Sequence, residues 1–326
     1  MKIAVAIPCY RVRKHILEVL ETIPESVSRI YVIDDCCPEG SGDWVEEHSR
    51  DSRVQVLRNP ENRGVGGAVI TGYRQAIEDQ VDIVVKIDGD GQMDPRLIPI
   101  FTRQIRQGRA DYCKGNRFYR LASLRGMPPV RLIGNGLLSF LTKLSSGYWN
   151  LMDPTNGYTA IHVSVLRELP LEKIEARYFF ETDMLFRLNT VRAVVRDVPM
   201  DAVYADEESS LNVRKVLPEF ARKHLSRVVR RYFYNYWLRD FNMGTLYSLL
   251  GSLALGAGAL FGLSQWAQSS IQHVPATSGT VMLAALPMII GAQLLIGYLH
   301  YDISNVPTDP LHPQLTPDEV EFEHGC

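Results

Sequence analysis

Apolar and polar positions alternate regularly along residues 1–88. The runs "KIAVAIP", "RIYVIDD", "RVQVLR" and "VDIVVKID" are short, apolar and rich in β-branched residues, and they predict strands. Between them "KHILEVLETI", "GDWVEEHS" and "GVGGAVITGYRQAIED" carry apolar residues at helical spacing. Strand and helix in alternation predict an α/β fold, a parallel sheet with helices on both faces. In such sheets ligands sit beyond the carboxyl ends of the strands. Polar clusters fall there: "PCYR" after the first strand, "DDCCPEG" after the second, "DGDGQMD" after the fourth. Three strand ends converging on one crevice point to a nucleotide-type site.

The pattern weakens from about Asp111 to Tyr204, then changes character. "VRKVLPEFARKHLSRVVRRYFYNYWLRD" sets Arg214, Lys215, Arg222, Lys223, Arg227, Arg230, Arg231 and Arg239 against Glu219 and Asp240. Aromatic residues gather at its end. It predicts a basic amphipathic helix lying at a membrane interface. From Phe241 to Tyr301 there is no Asp, Glu, Lys or Arg. Two apolar segments in that span, "GTLYSLLGSLALGAGALFGLSQW" and "GTVMLAALPMIIGAQLLIGYLHY", are each long enough to cross a bilayer as a helix. The tail beyond Tyr301 is acidic and proline-rich and is expected to be loosely ordered.

Charge and cysteines narrow the function classes. A net charge of -2 argues against nucleic acid as a partner. The start, "MKIAVAIPCYRVRK", has too short an apolar run for a signal peptide, so the bulk of the chain is expected in the cytosol. Cys9, Cys36, Cys37, Cys113 and Cys326 show neither zinc spacing nor a disulfide framework, in keeping with reduced thiols.

The stretch "DGDGQMD" carries the clearest chemistry. As a calcium loop it fails, because Met93 stands at the required glycine and Pro99 at the terminal glutamate. Carboxylates at a strand end suit Mg²⁺ or Mn²⁺, with substrate phosphates completing the shell. "NRGVGGAVITGY" looks like a phosphate loop but matches neither common glycine pattern; its glycines are equally suited to close packing.

As a set, "IPCY", "VIDD", the D-x-D-x-Q of Asp88, Asp90 and Gln92, "GNRF", the Arg131 helix and "DPTNGY" resemble a family-two inverting glycosyltransferase with a GT-A fold. The branch resembled includes dolichol-phosphate mannose synthase and bacterial polyprenyl-phosphate glycosyltransferases. The resemblance runs over about residues 3 to 210 and implies a Rossmann-like domain with a mixed, mainly parallel sheet. The expected organisation is a catalytic domain over 1–212, an interfacial helix over 213–240, a transmembrane hairpin over 241–302 and an acidic cytosolic tail over 303–326.

Residue by residue, the resemblance implies that Pro8, Tyr10, Ile33 and Asp35 hold the nucleoside. Asp88, Gly89 and Asp90 match the nucleotide-diphosphate and metal positions, and Gln92 a further metal contact. Arg117 and Arg131 match basic positions near the transferred sugar and acceptor phosphate, and Asp153 opens the motif around the sugar. The chain departs from the family where Arg11, Arg13 and Lys14 replace an acidic residue, and where Ala202 and Ser210 stand in place of Arg and Lys.

The expected reaction moves one sugar from a UDP- or GDP-linked donor to a polyprenyl phosphate, with inversion, at the cytosolic membrane face. An ionised lipid phosphate needs no strong base. The alternative, transfer to a hydroxyl of a lipid-linked glycan, needs a carboxylate base; Asp183 of "FFETD" is the candidate, with Glu181 behind it. A second alternative is a non-catalytic, membrane-anchored nucleotide-binding protein. Expected partners are the nucleotide sugar, the lipid phosphate and the bilayer. Gly251, Gly256, Gly258 and Gly262 suit close helix packing, within the chain or in a homo-oligomer.

Overall fold

The computed structural model describes residues 1–119, 129–201 and 213–315, without side-chain detail at 129–133 and 213–216. Two compact units divide the chain: Met1–Val228 with the segment from Pro307 onward, and Val229–Val306.

The first unit is built on seven strands: β1 (Ile3–Cys9), β2 (Arg29–Asp34), β3 (Val54–Arg58), β4 (Ile83–Lys86), β5 (Tyr112–Asn116), β6 (Thr159–His162) and β7 (Val195–Pro199). Their order is β3-β2-β1-β4-β6-β5-β7. All pairs are parallel except the two made by β6. β1 and β4 are buried on both faces, which explains their unbroken apolar runs. Helices α1 (Ile16–Glu21), α2 (Ser41–His48), α3 (Gly64–Glu78) and α4 (Ile98–Arg106) connect the first five strands. α1, α2 and α3 match the helices expected from the pattern up to residue 79, and α4 lies beyond them.

Beyond β5 come α5 (Pro129–Ser146), α6 (Val163–Arg167), α7 (Phe180–Thr190) and α8 (Val213–Phe233). The glycines of α3 allow close approach on two sides. A Cβ at Gly72 would stand 2.9 Å from Ile33 in the sheet. One at Gly66 would stand 2.6 Å from Phe180 and 2.7 Å from the Glu175 carbonyl. The "GVGG" stretch is therefore a seat for the loop entering α7.

The tail differs from expectation. Residues 311–315, including the short helix α11 (His312–Leu315), are ordered on the first unit. The Asp111 carboxylate accepts from the backbone N–H of Leu311 and His312, from His312 Nδ1 and from the Val194 N–H, at 2.7–2.9 Å. This four-donor cage holds the chain despite its acidic, proline-rich composition. Residues 316–326 lie outside the described residues.

The second unit holds two helices long and apolar enough to cross a membrane, α9 (Met243–Gln272) and α10 (Ser278–Ser304). Asn242 caps α9 reciprocally with Thr245, and Thr277 caps α10. Gly251, Gly258 and Gly262 meet α10, whereas Gly256 meets nothing within 4 Å. Three of the four small residues thus serve packing inside the hairpin. In the same unit Asp302 pairs with Arg231 at 2.6 Å.

The basic stretch spends much of its charge internally. Lys223 and Arg227 bind Glu175 and Asp183 in the first unit, and Arg231 binds Asp302 in the second. Among the described residues of α8, Leu217, Leu225, Val229 and Phe233 are the large exposed apolar side chains, with Arg222 and Arg230 exposed among them. Arg214 and Lys215 have no described side chains.

Candidate active site

Paired acids end β2, and each has a structural duty. Asp34 accepts from the N–H of Cys37 and Gly42, both at 2.7 Å, and so caps the start of α2. Asp35 accepts from the N–H of Arg63 and Gly64 at 3.0 and 2.8 Å and from Asn59 at 2.7 Å. It satisfies donors at the start of α3, where a negative charge is favoured. These bonds fix the carboxylate of Asp35 at the edge of a cavity.

That cavity has a volume of about 420 Å³, within the usual range for small-ligand sites. Pro8 and Tyr10 after β1, Asp35 after β2, and Asp88, Gly89 and Asp90 after β4 line it together. Arg177 and Tyr178, just before α7, complete the wall. Ile33 is fully buried against Gly72, so it supports the cavity without lining it. Gln92 is half-buried beside Asp90, its N–H donating to Asp90 Oδ1 at 3.0 Å.

Behind Asp88 lies a buried lysine. Lys86 ends β4 with 1 % exposure and pairs with Asp88 at 2.9 Å and Glu181 at 3.4 Å. Burial opposes its charge, but the two carboxylates outweigh that and raise its pKa above the ordinary lysine value. Glu181 shifts upward, driven by burial against the pull of Lys86. Gly157 of "DPTNGY" presses on this group: a Cβ there would meet Lys86 Nζ and stand 2.7 Å from Asp88 Oδ2.

The other end of that loop holds Arg117. Asp153 accepts from Arg117 Nε and Nη2, both at 2.7 Å, and is 1 % exposed. Burial would raise its pKa, but the bonds to Arg117 and the charge of Lys114 hold it below the ordinary aspartate range. Its backbone is left-handed, φ 54°, a conformation Asp tolerates. Buried Lys114 clamps the loop by donating to the carbonyls of Gly115, Met152 and Asp153. Asp153 therefore grips Arg117 and offers little surface to a sugar.

Asp183 lies elsewhere. Asp183 has no exposed surface; its oxygens accept from Arg227 at 2.6 Å, Arg187 at 3.0 Å and the Glu175 N–H at 3.0 Å. It does not line the cavity, and Glu181, not Asp183, approaches the acid pair through Lys86. Arg131 falls within α5, with no side chain described, and Ala202 and Ser210 lie outside the described residues.

The donor set suits a hard cation. Asp88 and Asp90 offer carboxylate oxygens and Gln92 an amide, all at one strand end. Among the described residues no three His, Cys, Asp or Glu side chains converge as a cage. Two carboxylates and an open side fit an ion whose remaining ligands come from phosphates.

Lys86, Lys114, Arg177 and Tyr178 were not placed in the site from sequence, and Glu181, expected only behind Asp183, meets Lys86 instead. A signal existed for the two lysines, each a charge inside a strand. None existed for Arg177 and Tyr178, which reach the cavity through the seat on α3.

Fold and cavity together define a GT-A-type transferase architecture. The chain belongs to glycosyl transferase family 2, whose model matches residues 4–170. It is similar to undecaprenyl-phosphate mannosyltransferase of Micrococcus luteus, 31 % identical over 207 residues, covering 62 % of this chain and 84 % of the relative. It is also similar to dolichol-phosphate mannosyltransferase of Pyrococcus furiosus, 27 % identical, covering 56 % of this chain and 52 % of the relative. Among solved structures, glucosyl-3-phosphoglycerate synthase from Mycobacterium tuberculosis, with manganese, uridine diphosphate and glucosyl-3-phosphoglycerate, superposes with a TM-score of 0.51. That likeness has 19 % identity, covers 71 % of this chain and 79 % of the other, and concerns the fold.

Proposed function

We propose that this protein transfers one sugar from a nucleotide sugar to a polyprenyl phosphate, with inversion, at the cytosolic face of a membrane. The observation that carries the reading is the cavity joining Asp35, Asp88 and Asp90 at three strand ends, in a chain that also holds two apolar helices of spanning length. The similar mannosyltransferases, whose names specify undecaprenyl phosphate and dolichol phosphate, support the acceptor class.

In this reading Pro8, Tyr10 and Asp35 hold the nucleoside, and Asp88, Asp90 and Gln92 hold Mg²⁺ or Mn²⁺. A bound divalent ion neutralises the donor diphosphate and makes it a better leaving group. Lys86 holds Asp88 in place through its Oδ1, at 2.9 Å. Arg117, held by Asp153, and Arg131 serve the acceptor phosphate, as two anions must be brought together against repulsion. An oxygen of that phosphate attacks the anomeric carbon from the face opposite the diphosphate. The carbon–oxygen bond to the donor breaks as the new one forms, and the nucleoside diphosphate departs.

The phosphate acceptor is favoured over a hydroxyl by the position of Asp183. A hydroxyl acceptor needs a base within reach, and Asp183 is fully buried with both oxygens engaged. The test is purified protein with a panel of UDP- and GDP-sugars and a polyprenyl phosphate, with products read by mass. Excess chelator is expected to stop turnover and Mn²⁺ or Mg²⁺ to restore it; Asp90→Asn is expected to remove it with the fold intact. Product formed only on glycan hydroxyls would overturn the acceptor assignment, and full activity in chelator the metal assignment.

A further inference from the structure

Resting on the reading above, we propose that Arg177 is the residue that binds the donor's diphosphate. Of the residues lining the cavity, Arg177 is the single cation, and the wall also carries the carboxylates of Asp35, Asp88 and Asp90. Its side chain is exposed and makes no ion pair with any described carboxylate. A guanidinium left uncompensated beside three acids is placed for an anion that arrives later.

Charge accounting gives the same result. Lys86 already cancels one of the two strand-end carboxylates. A divalent ion then meets the carboxylates of Asp90 and Asp35 and a diphosphate diester with two negative charges, leaving the assembly two charges negative. Arg177 halves that excess. When the sugar leaves, the diphosphate gains a further negative charge, and a guanidinium can meet it through two parallel hydrogen bonds.

The backbone around Arg177 is built to hold still. Gly67 N–H donates to the Ala176 carbonyl at 3.0 Å, and Phe180 N–H to the Arg177 carbonyl at 2.9 Å. Gly64, at φ 79°, lets the segment close in: a Cβ there would stand 2.9 Å from the Ala176 carbonyl and 3.0 Å from Arg177 Cγ. On the other side Glu175 is tied to Lys223 at 2.8 Å and Arg227 at 3.1 Å. The glycine stretch that resembles a phosphate loop thus serves phosphate indirectly, by seating the arginine that binds it.

The test compares nucleoside diphosphate with nucleoside on the full-length protein in detergent. UDP and GDP are titrated with Mn²⁺ present, and uridine and guanosine serve as controls lacking the diphosphate. Arg177→Gln is expected to weaken the preferred diphosphate by about tenfold to a hundredfold, the range of one or two hydrogen bonds to a charged group. The matching nucleoside is expected to bind within about twofold of wild type, and Arg177→Lys to fall between Gln and wild type. Equal diphosphate affinity in wild type and Arg177→Gln overturns the assignment and leaves the donor reading standing. Parallel loss of nucleoside and diphosphate also overturns it, since the arginine then shapes the base site. If wild type binds neither UDP nor GDP, the donor reading fails and the assignment fails with it.

Discussion

Asp153 holds Arg117 through two parallel hydrogen bonds of equal length, 2.7 Å each, from a site where the carboxylate is almost fully buried. The pair makes Arg117 a fixed cation, and it gives Asp153 a role through Arg117. Asp153→Asn is therefore expected to lower kcat nearly as far as Arg117→Ala does, and the double variant to be little worse than either. Steady-state kinetics on the three proteins checks this; additive losses would mean that Asp153 acts on substrate directly.

Asp183 is expected to matter for stability. Asp183→Asn leaves Arg187 and Arg227 facing a neutral amide in a buried site, and breaking such a network costs about 3–5 kcal/mol. Thermal unfolding should show a large fall in Tm, while protein still folded at low temperature keeps much of its activity. A variant with wild-type Tm and no turnover would restore Asp183 as a base.

Stability is expected to fall with acidification from near pH 6.5. Burial lowers the pKa of His224 to about 4; burial, aided by the neighbouring His312, lowers that of His162 to about 4. Between about 4 and 6.5 the unfolded chain takes up protons that the folded chain refuses. The stability is thus fully present above about pH 6.5 and is lost as pH falls toward 4, by on the order of 3 kcal/mol per histidine at most. Asp111, held low by His312 and backbone donors against burial, adds a loss of the same sign at lower pH. Tm measured from pH 7.5 to 5 should drop, and the drop should be shallower in His224→Gln.

For topology, an impermeant thiol reagent applied to intact cells should label Ala276→Cys, in the exposed linker between α9 and α10. It should spare native Cys36, exposed on the catalytic unit. Labelling of Cys36 with protection at 276 would invert the arrangement.

How far the chain could be read depended on where apolar runs were allowed to form. β1, β2 and β4 were legible because buried strands must be continuous and apolar. β3, only partly buried, was legible by its alternation of apolar and polar residues, and the helices between the strands by their apolar spacing. β5, "YCKGN", was not: its Lys114 points into a polar cluster that binds loop carbonyls, so the strand lacks a hydrophobic run. β6 is four residues long and ends in His162, which lies against His312 from 150 positions later. The acid pair of "DGDG" could be found because chemistry dictates its spacing. The buried state of Ile33 and Asp183 could not, since a motif gives residue order and not which side a side chain faces. In the basic stretch, Lys223, Arg227 and Arg231 read as charges of a membrane-interface helix, and their partners Glu175, Asp183 and Asp302, distant in sequence, could not be found from it.

The cage around Asp111 sets an order of events during synthesis. Three of its four donors belong to Leu311 and His312, and both apolar helices precede them in the chain. The ribosome has therefore made the whole hairpin before the carboxylate at the start of β5 can be satisfied. Until then the catalytic half carries a buried acid with only the Val194 N–H to accept from. If the two helices span a membrane as proposed, a chain that inserted one and left the other behind would strand residues 311 and 312 across the bilayer from Asp111. The enzyme half would then stay destabilised, open to quality-control proteases. In the proposed topology, completion of the globular unit would thus depend on both helices being placed.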